Sequence, residues 1–487
     1  MTILADPLSW LLGLPVAGAI LLALLPWRAA SVANIGVSVA TFAASLVLFR
    51  VRPPAGALLF IDDFNVYLVA LTAFVGATTA VFSAAYIARE VAGGRLGDGH
   101  LRFYHAMYQA FLFTMLLALT ANNIGLMWVA VEGATLTTVL MVSLYRTREA
   151  IEAAWKYFIL CSVGIGLALF GTILVYLAAE PVMGASGAAM EWTRLVARAW
   201  AFQPALLNLA FVFVLVGYGT KVGLAPLHAW LPDAHAEGPT PISAVLSGLL
   251  LNVALYALLR FKMLIAANGH ALAPGPLMVA MGLSSLFLSA FMLYRRGDIK
   301  RLFAYSSIEH MGIITFAFGI GGGLADFAGL LHMTMHSLTK SAIFFTAGIA
   351  SQNAGSSRIA RIKGLTVSTP VLGWVFLLAV LAIAGLPPMG VFTSEFLVVT
   401  ATVARHPLLA VPLVVGLLLA FGALIGRVQG MAFGTPVPAE GYGPPTRWQA
   451  VLAYGPPILH MALVVVAGLY LPAILTHWFQ AVAGMLK

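Results

Sequence analysis

Runs of about 20 apolar residues, long enough to cross the hydrocarbon core of a bilayer, recur along the whole chain between short polar or charged joints. Read in order, they predict transmembrane helices near 7–27, 31–49, 64–87, 103–121, 123–145, 154–178, 205–231, 241–262, 275–294, 303–322, 325–350, 370–402, 407–430 and 450–476, which makes 14. The expected fold class is all-α, a polytopic membrane protein. Only "NN" separates the fourth run from the fifth. The seventh run contains Pro226, and the twelfth contains Pro387 and Pro388. A proline removes a donor and frees a carbonyl at membrane depth, which survives only where protein or cavity water satisfies it. Helices 7 and 12 are therefore expected to be discontinuous, although either proline alone fits a simple kink.

A weak internal repeat bears on those two breaks. "VGLAPL" from Val222 resembles "AGLPPM" from Ala384, and "AIEAAWKYFILCSVGI" from Ala150 can be laid on "DIKRLFAYSSIEHMGI" from Asp298. Helices 4–8 and 9–13 then read as two copies of a five-helix unit. Five is odd, so the copies are inverted, a plan in which broken helices mark the functional site.

Composition agrees with a membrane chain. Of 487 residues, 61% are hydrophobic and 9% charged, too few charges to cover a soluble surface. No polar stretch is long enough for a separate soluble domain. The expected organisation is one membrane domain over 1–487: three helices in 1–102, the first repeat in 103–262, the second in 263–430 and a last helix in 431–487. The net charge of +9 reads as positive-inside loops rather than a nucleic-acid surface. With the N-terminus outside, inside loops collect 16 of the 26 Lys and Arg and outside segments 8, with Lys221 and Lys340 set apart. That bias puts both termini on the non-cytoplasmic side. Asp6 precedes the first apolar run and Arg28 follows it, so a retained helix is expected there rather than a secretory signal. Cys161 is the single cysteine, which excludes an internal disulfide and a cysteine-ligated cluster.

The candidate chemistry lies in charges far from the ends of apolar runs. Glu132, Lys221, Lys340 and Glu395 are such charges, and "LLHMTMHSLTKSAIFF" from Leu330 to Phe345 spaces His332, His336 and Lys340 four residues apart on one helical stripe. A charge at the bilayer centre costs about 2.5–3.5 kcal/mol on the lenient insertion scale. These groups must face the interior, pair, or line water. Singly, each has a structural reading: a Glu–Lys pair as glue, a histidine as a packing residue. "HMTMH" lacks the Glu of a zinc-binding H-E-x-x-H helix, and no metal site is expected. "GIGLALFG" and "GIGGG" lack the βαβ context of a nucleotide loop and fit close helix packing. Taken together, two acids, two lysines and two histidines on broken-helix repeats favour a proton path. Glu132 near Lys221 would hold the lysine's proton and release it on withdrawal, the histidines would relay, and Lys340 with Glu395 would form an outlet or second gate.

"GTKVGLAPLHAWLPDAHAEGPTPISAVLSGLLLNVALYALLRF", from Gly219 to Phe261, strongly resembles the proton-conducting, antiporter-like membrane subunits of respiratory complex I, Mrp antiporters and group 4 nickel–iron hydrogenases. "NNIGLMWVAVEGATL" and "YRTREAIEAAWKYFILCSVGIGLALFGTILVY" look most like the F-type membrane component of hydrogenase-4, then the M-type component of NADH–quinone oxidoreductase. The resemblance implies roles by position. Glu132 matches the acid of the fifth helix and Lys221 the lysine of the broken seventh. His332, His336 and Lys340 match polar positions of the eleventh, and Glu395 the ionisable residue of the broken twelfth. Asn252 stands where many members have Lys or His in the eighth helix, and an amide orients water without carrying the proton as charge. The family's long lateral helix is not expected here.

His228, Asp233, His235 and Glu237 crowd the end of the seventh helix as a possible uptake funnel or a solvated loop. Lys156 extends the Glu132–Lys221 line or snorkels at the interface, and Glu309 and His310 are weaker candidates. The resemblance further implies iron–sulfur and nickel–iron centres on partner subunits and none in this chain. Implied partners are other antiporter-like subunits, a peripheral redox arm and the lipid bilayer, and the implied site is a bacterial or archaeal cytoplasmic membrane. A self-sufficient cation/proton antiporter and a non-conducting structural subunit are the alternatives, and carboxylates serve sodium as well as protons.

Overall fold

The computed structural model describes residues 6–437, 441–442 and 446–486, except the side chain of Arg102. The first part of the chain forms α1 (Pro7–Leu24), α2 (Trp27–Val47), α3 (Asp63–Ala92), α4 (Asp98–Thr120), α5 (Ile124–Val142) and α6 (Arg148–Met183). A short α7 (Trp192–Arg198) leads into α8 (Pro204–Val222) and α9 (Trp230–Glu237). Next come α10 (Thr240–Val245) and α11 (Leu251–Ala266), joined by a π-turn at Leu246–Leu250 into one helix. The rest is α12 (Gly275–Leu293), α13 (Ile299–Ile320), α14 (Gly323–Ala354), α15 (Leu365–Ser368), α16 (Pro370–Ile383), α17 (Gly390–Arg405), α18 (Pro407–Phe433), α19 (Arg447–Leu469) and α20 (Ala473–Met485). Among the described residues there is no strand, only isolated bridges such as Leu59 with Ala121.

Eleven of these helices are long and apolar enough to cross a membrane. Helices also occupy the remaining predicted stretches, but α13 and α14 carry ionisable groups and α16 is short. The joint after α4 is a cap: Asn123 Oδ1 accepts from the amides of Gly125 and Leu126, which starts α5. The last predicted stretch, 450–476, is two helices, because the chain leaves α19 at Tyr470 and restarts after Pro472. α20 folds back, and Trp478 Nε1 donates to the Asp63 carbonyl at 3.0 Å.

Burial separates centre from rim. The helix over Thr240–Ala266 is 100% buried in its most apolar window, whereas α1 and α18 are 28% buried and present apolar outer faces. α14 is almost wholly buried and packs against α3, α10, α13, α16, α17, α19 and α20. The histidine stripe therefore lies on the central helix.

The two breaks share one geometry, and glycine sets it. At the end of α8, Gly223 has φ +82°, its amide bonds the Thr220 carbonyl, and the Leu224 amide reaches the Gly219 carbonyl. At the end of α16, Gly385 has φ +71°, its amide bonds Ala382, and Leu386 reaches Leu381. Each is the six-to-one and five-to-two closure that ends a helix at a left-handed glycine. Pro226 and Pro388 follow at matching positions, each after a cis peptide bond. The prolines expected to break these helices thus sit in connections already opened by glycine.

The second repeat alignment does not follow the five-helix division. It pairs α6, third in its group, with α13, second in its group. A common packing device accounts for the likeness. A Cβ on Gly164 would meet Thr220 of α8 at 2.6 Å, and one on Gly312 would meet the Gly282 carbonyl of α12 at 2.7 Å. Both glycines allow close helix approach.

Candidate functional site

The first cluster is built by α5, α6 and α8. Glu132 and Thr135, three residues apart, share one face of α5. Lys221 lies in the last turn of α8, where the carbonyl end of the helix favours a cation. It is fully buried, and its Nζ donates to Thr135 Oγ1 and to the Tyr157 hydroxyl, each at 2.8 Å. Nζ also lies 4.7 Å from the centre of the Tyr157 ring and 5.7 Å from that of Trp230. Thr135 donates to Glu132 Oε2 at 2.9 Å, and Ser162 donates to Oε1 at 2.9 Å. The expected Glu132–Lys221 pair is therefore not a contact pair but is bridged by one hydroxyl. Trp230 Nε1 donates at 2.8 Å to the Thr220 carbonyl, which also accepts from the Gly223 amide at the break.

The second cluster joins α13, α14 and α17. His310 Nδ1 and His332 Nε2 are 2.9 Å apart, and His332 Nδ1 is 2.9 Å from Ser394 Oγ. Glu395 Oε1 lies 3.8 Å from His310 Nδ1, and its other oxygen rests where a Cβ on Gly385 would sit. The second break thus makes the space its own acid occupies. His336 stands with its ring 5.9 Å from that of His310, and neither of its nitrogens has a hydrogen-bond partner among the described residues. Lys340 Nζ donates to the Phe303 carbonyl at 3.1 Å. Glu309, also buried, interacts electrostatically with Lys340 and Glu395.

The stripe on α14 is real, but its members do not bond along it. His332 finds its partners on α13 and α17. His310, ranked below the α14 histidines on sequence, is the residue that touches both His332 and Glu395.

The helix over 240–266 packs against both α8 and α14. Asn252 lies on it, just past the π-turn, a feature frequent at functional sites. Its Nδ2 donates to Ser337 Oγ at 2.8 Å and the Met333 carbonyl at 3.1 Å, while its Oδ1 has no partner among the described residues. Ser247 and Ser307 hydroxyls meet at 2.7 Å between this helix and α13. His235 is fully buried, stacks on Phe344 at 4.7 Å and feels the charges of Lys300 and Lys340.

The remaining funnel candidates separate. Asp233 bonds Arg301 and lies 3.4 Å from Lys156, and Glu237 lies 3.5 Å from Arg301. Lys156 is half-exposed and 2.7 Å from Glu152, which suits an interfacial ion pair. Half-buried His228 lies beside Tyr305. His235 alone of this group turns inward. Sequence reasoning missed Thr135, Tyr157, Ser162 and Ser394, whose hydroxyls carry the bonding. It also missed Arg260, fully buried among four aromatic rings and 2.7 Å from Asp62. Only the i, i+3 spacing of Thr135 from Glu132 offered a signal.

The profile of the family described as "NADH:quinone oxidoreductase/Mrp antiporter, TM" matches residues 121–420, which hold both clusters. A protein of Methylacidiphilum infernorum (isolate V4) named hydrogenase-4 component F homolog is 58% identical over 474 residues, 97% of this chain and 98% of that one. A chain from the membrane-bound sulfane sulfur reductase, an archaeal respiratory membrane complex, superposes with TM-score 0.85 at 20% identity, covering 98% of this chain and 97% of that chain. A chain of the Mrp complex from Dietzia sp. DQ12-45-1b gives TM-score 0.84 at 18% identity, covering 100% and 98%.

Proposed function

Because the chain belongs to the NADH:quinone oxidoreductase/Mrp antiporter transmembrane family, we propose that it moves protons across the membrane as one subunit of a redox-driven complex. The hydrogenase-4 or formate hydrogenlyase kind is favoured by the 58% identity to a hydrogenase-4 component F homolog over nearly all of both chains. In this reading fourteen helices cross a bacterial or archaeal cytoplasmic membrane, helices 4–8 and 9–13 form inverted units, and both termini lie outside the cytoplasm. Partner subunits supply the neighbouring proton channels and the peripheral arm with its iron–sulfur and nickel–iron centres.

One observation carries the proposal: Lys221 is fully buried, yet its hydrogen-bond partners are two hydroxyls and not a carboxylate. A lysine kept for packing needs a counter-charge in contact, since an uncompensated buried charge is costly. Here the acid acts through Thr135, so a small movement of Glu132 or of that hydroxyl changes how firmly the proton is held. Once released, the proton passes along the helix over 240–266 toward Lys340 and the histidines, through water where Asn252 replaces an ionisable group. Hydrogen-bonded donors and acceptors bridged by single waters suffice for such transfer. The His310–His332 contact holds one proton between two nitrogens, and Glu395 at the second break receives it.

The test is Lys221→Met and Glu132→Gln in the intact complex, with the subunits recovered by mass spectrometry and proton uptake measured in proteoliposomes. Normal assembly with pumping lost is the expected result. Pumping at the parent rate in either variant refutes the path, and recovery of a lone active antiporter refutes the redox assembly.

A further inference from the structure

His310, His332 and Glu395 converge from α13, α14 and α17, and one ligand atom from each lies within 4.8 Å of the other two. Two imidazoles and a carboxylate are the donor set of open zinc sites. The two histidines are fully buried, and the Glu395 side chain keeps 13% of its surface exposed. The spacing that first suggests a metal, His332 with His336 on α14, is not the one used: His336 contributes no atom to the group.

The surroundings fit an ion independently of the three ligands. Ser394 Oγ donates to the Val391 carbonyl at 2.7 Å, so it accepts from His332 Nδ1–H at 2.9 Å. That bond fixes the ring and leaves Nε2 with its lone pair turned to His310, the outer-shell orientation metal-binding histidines usually have. The carboxylate of Glu309 is near enough to interact with that of Glu395, so two acids can neutralise a dication where net charge is costly. The 2.9 Å between His310 Nδ1 and His332 Nε2 is a hydrogen-bond distance. Two nitrogens on a tetrahedral zinc stand about 3.3 Å apart, from bonds of about 2.0–2.1 Å. Seating the ion therefore needs an opening of a few tenths of an ångström and loss of the shared proton.

We propose that His310, His332 and Glu395 form a binding site for a zinc-class divalent transition metal, which competes with the proton held between the two histidines. The binding claim stands on the geometry alone, and the competition claim rests on the proton-path reading.

Zinc binding to the purified complex is measured by calorimetric titration and by metal analysis after desalting, with magnesium as control and cobalt as a spectroscopic probe. The parent is expected to hold one zinc at this site, and bound cobalt to show the visible bands of a tetrahedral nitrogen–oxygen site. Affinity should fall at least 100-fold in His310→Gln and Glu395→Gln. It should stay unchanged in His460→Gln, a buried histidine bonded elsewhere to Thr78. Thermal melting shows which variants fold, and either of the first two suffices. No zinc bound by the parent, or equal binding by both site variants, overturns the site. Zinc should also slow proton flux by the parent. Binding without slowing overturns the competition and leaves the site standing, whereas normal flux with no binding overturns the site and leaves the proton path.

Discussion

Lys221 bonds Thr135 at 2.8 Å and reaches the Glu132 carboxylate only through that hydroxyl, which is itself 2.9 Å from Glu132. Thr135→Val keeps the shape of the side chain and removes the bridge. Hydrogen bonds to charged groups contribute about 1.5–3 kcal/mol, so proton flux should fall roughly 10- to 100-fold if the bridge acts in transfer. Thr135→Ser should restore most of it. Flux in proteoliposomes, normalised to assembled complex, decides; a valine variant at parent rate removes the bridge from the mechanism.

In the proposed path the second cluster is joined through His310 rather than along the row on α14, because His310 contacts His332 and lies 3.8 Å from Glu395. His310→Gln should therefore lose more flux than His336→Gln, because only His310 bonds His332 and approaches Glu395. Equal losses, or a larger loss at His336, would restore the row along α14 as the path.

Gly385 serves both the break and the acid. Alanine there meets a backbone at φ +71°, costing about 1–2 kcal/mol, and its methyl takes the space of Glu395 Oε2. Gly223→Ala carries the same kind of backbone cost at φ +82°, but its Cβ would meet apolar side-chain atoms, Leu231 Cδ2 at 3.2 Å and Ile308 Cγ1 at 3.9 Å. Thermal melting should show similar destabilisation in both. Gly385→Ala should in addition displace the carboxylate and weaken coupling to His310, read as lost flux per folded complex.

Arg260 is a structural anchor. Its guanidinium lies 4.3 Å from the Trp192 ring centre and 4.9–5.1 Å from those of Phe60, Tyr256 and Phe64, and it donates to Asp62 at 2.7 Å. Asp62 caps α3, so the bond ties that helix start to α11. Removing one partner of such a buried pair costs about 3–5 kcal/mol. Arg260→Met should lower the melting temperature of the complex clearly while leaving flux per folded molecule near the parent value. A melting curve superimposable on the parent would deny it the anchoring role.

Much of this was legible in the residues. The order of the helices, the two interruptions and the ionisable groups inside apolar runs can all be read from hydropathy and from glycine and proline. The sequence points to proline as the cause of the interruptions because it is the more conspicuous breaker, whereas a left-handed glycine is visible only in the backbone. The hydroxyl partners were missed because serine and threonine occur throughout membrane helices, and their side chains usually bond their own backbone, as Thr172 does with Ala168. Nothing local distinguishes Thr135 or Ser394 from that background.

Hydropathy and charge along the chain are enough to establish a helical membrane protein with buried titratable groups. A bilayer admits only apolar segments with satisfied backbones, and charges within them are too costly to be incidental. Which group meets which is settled only in the packed fold. Lys221 and Thr135 are 86 residues apart, and His332 and Ser394 are 62 apart. Their meeting depends on how helices pack, rotate and break, which no local pattern encodes.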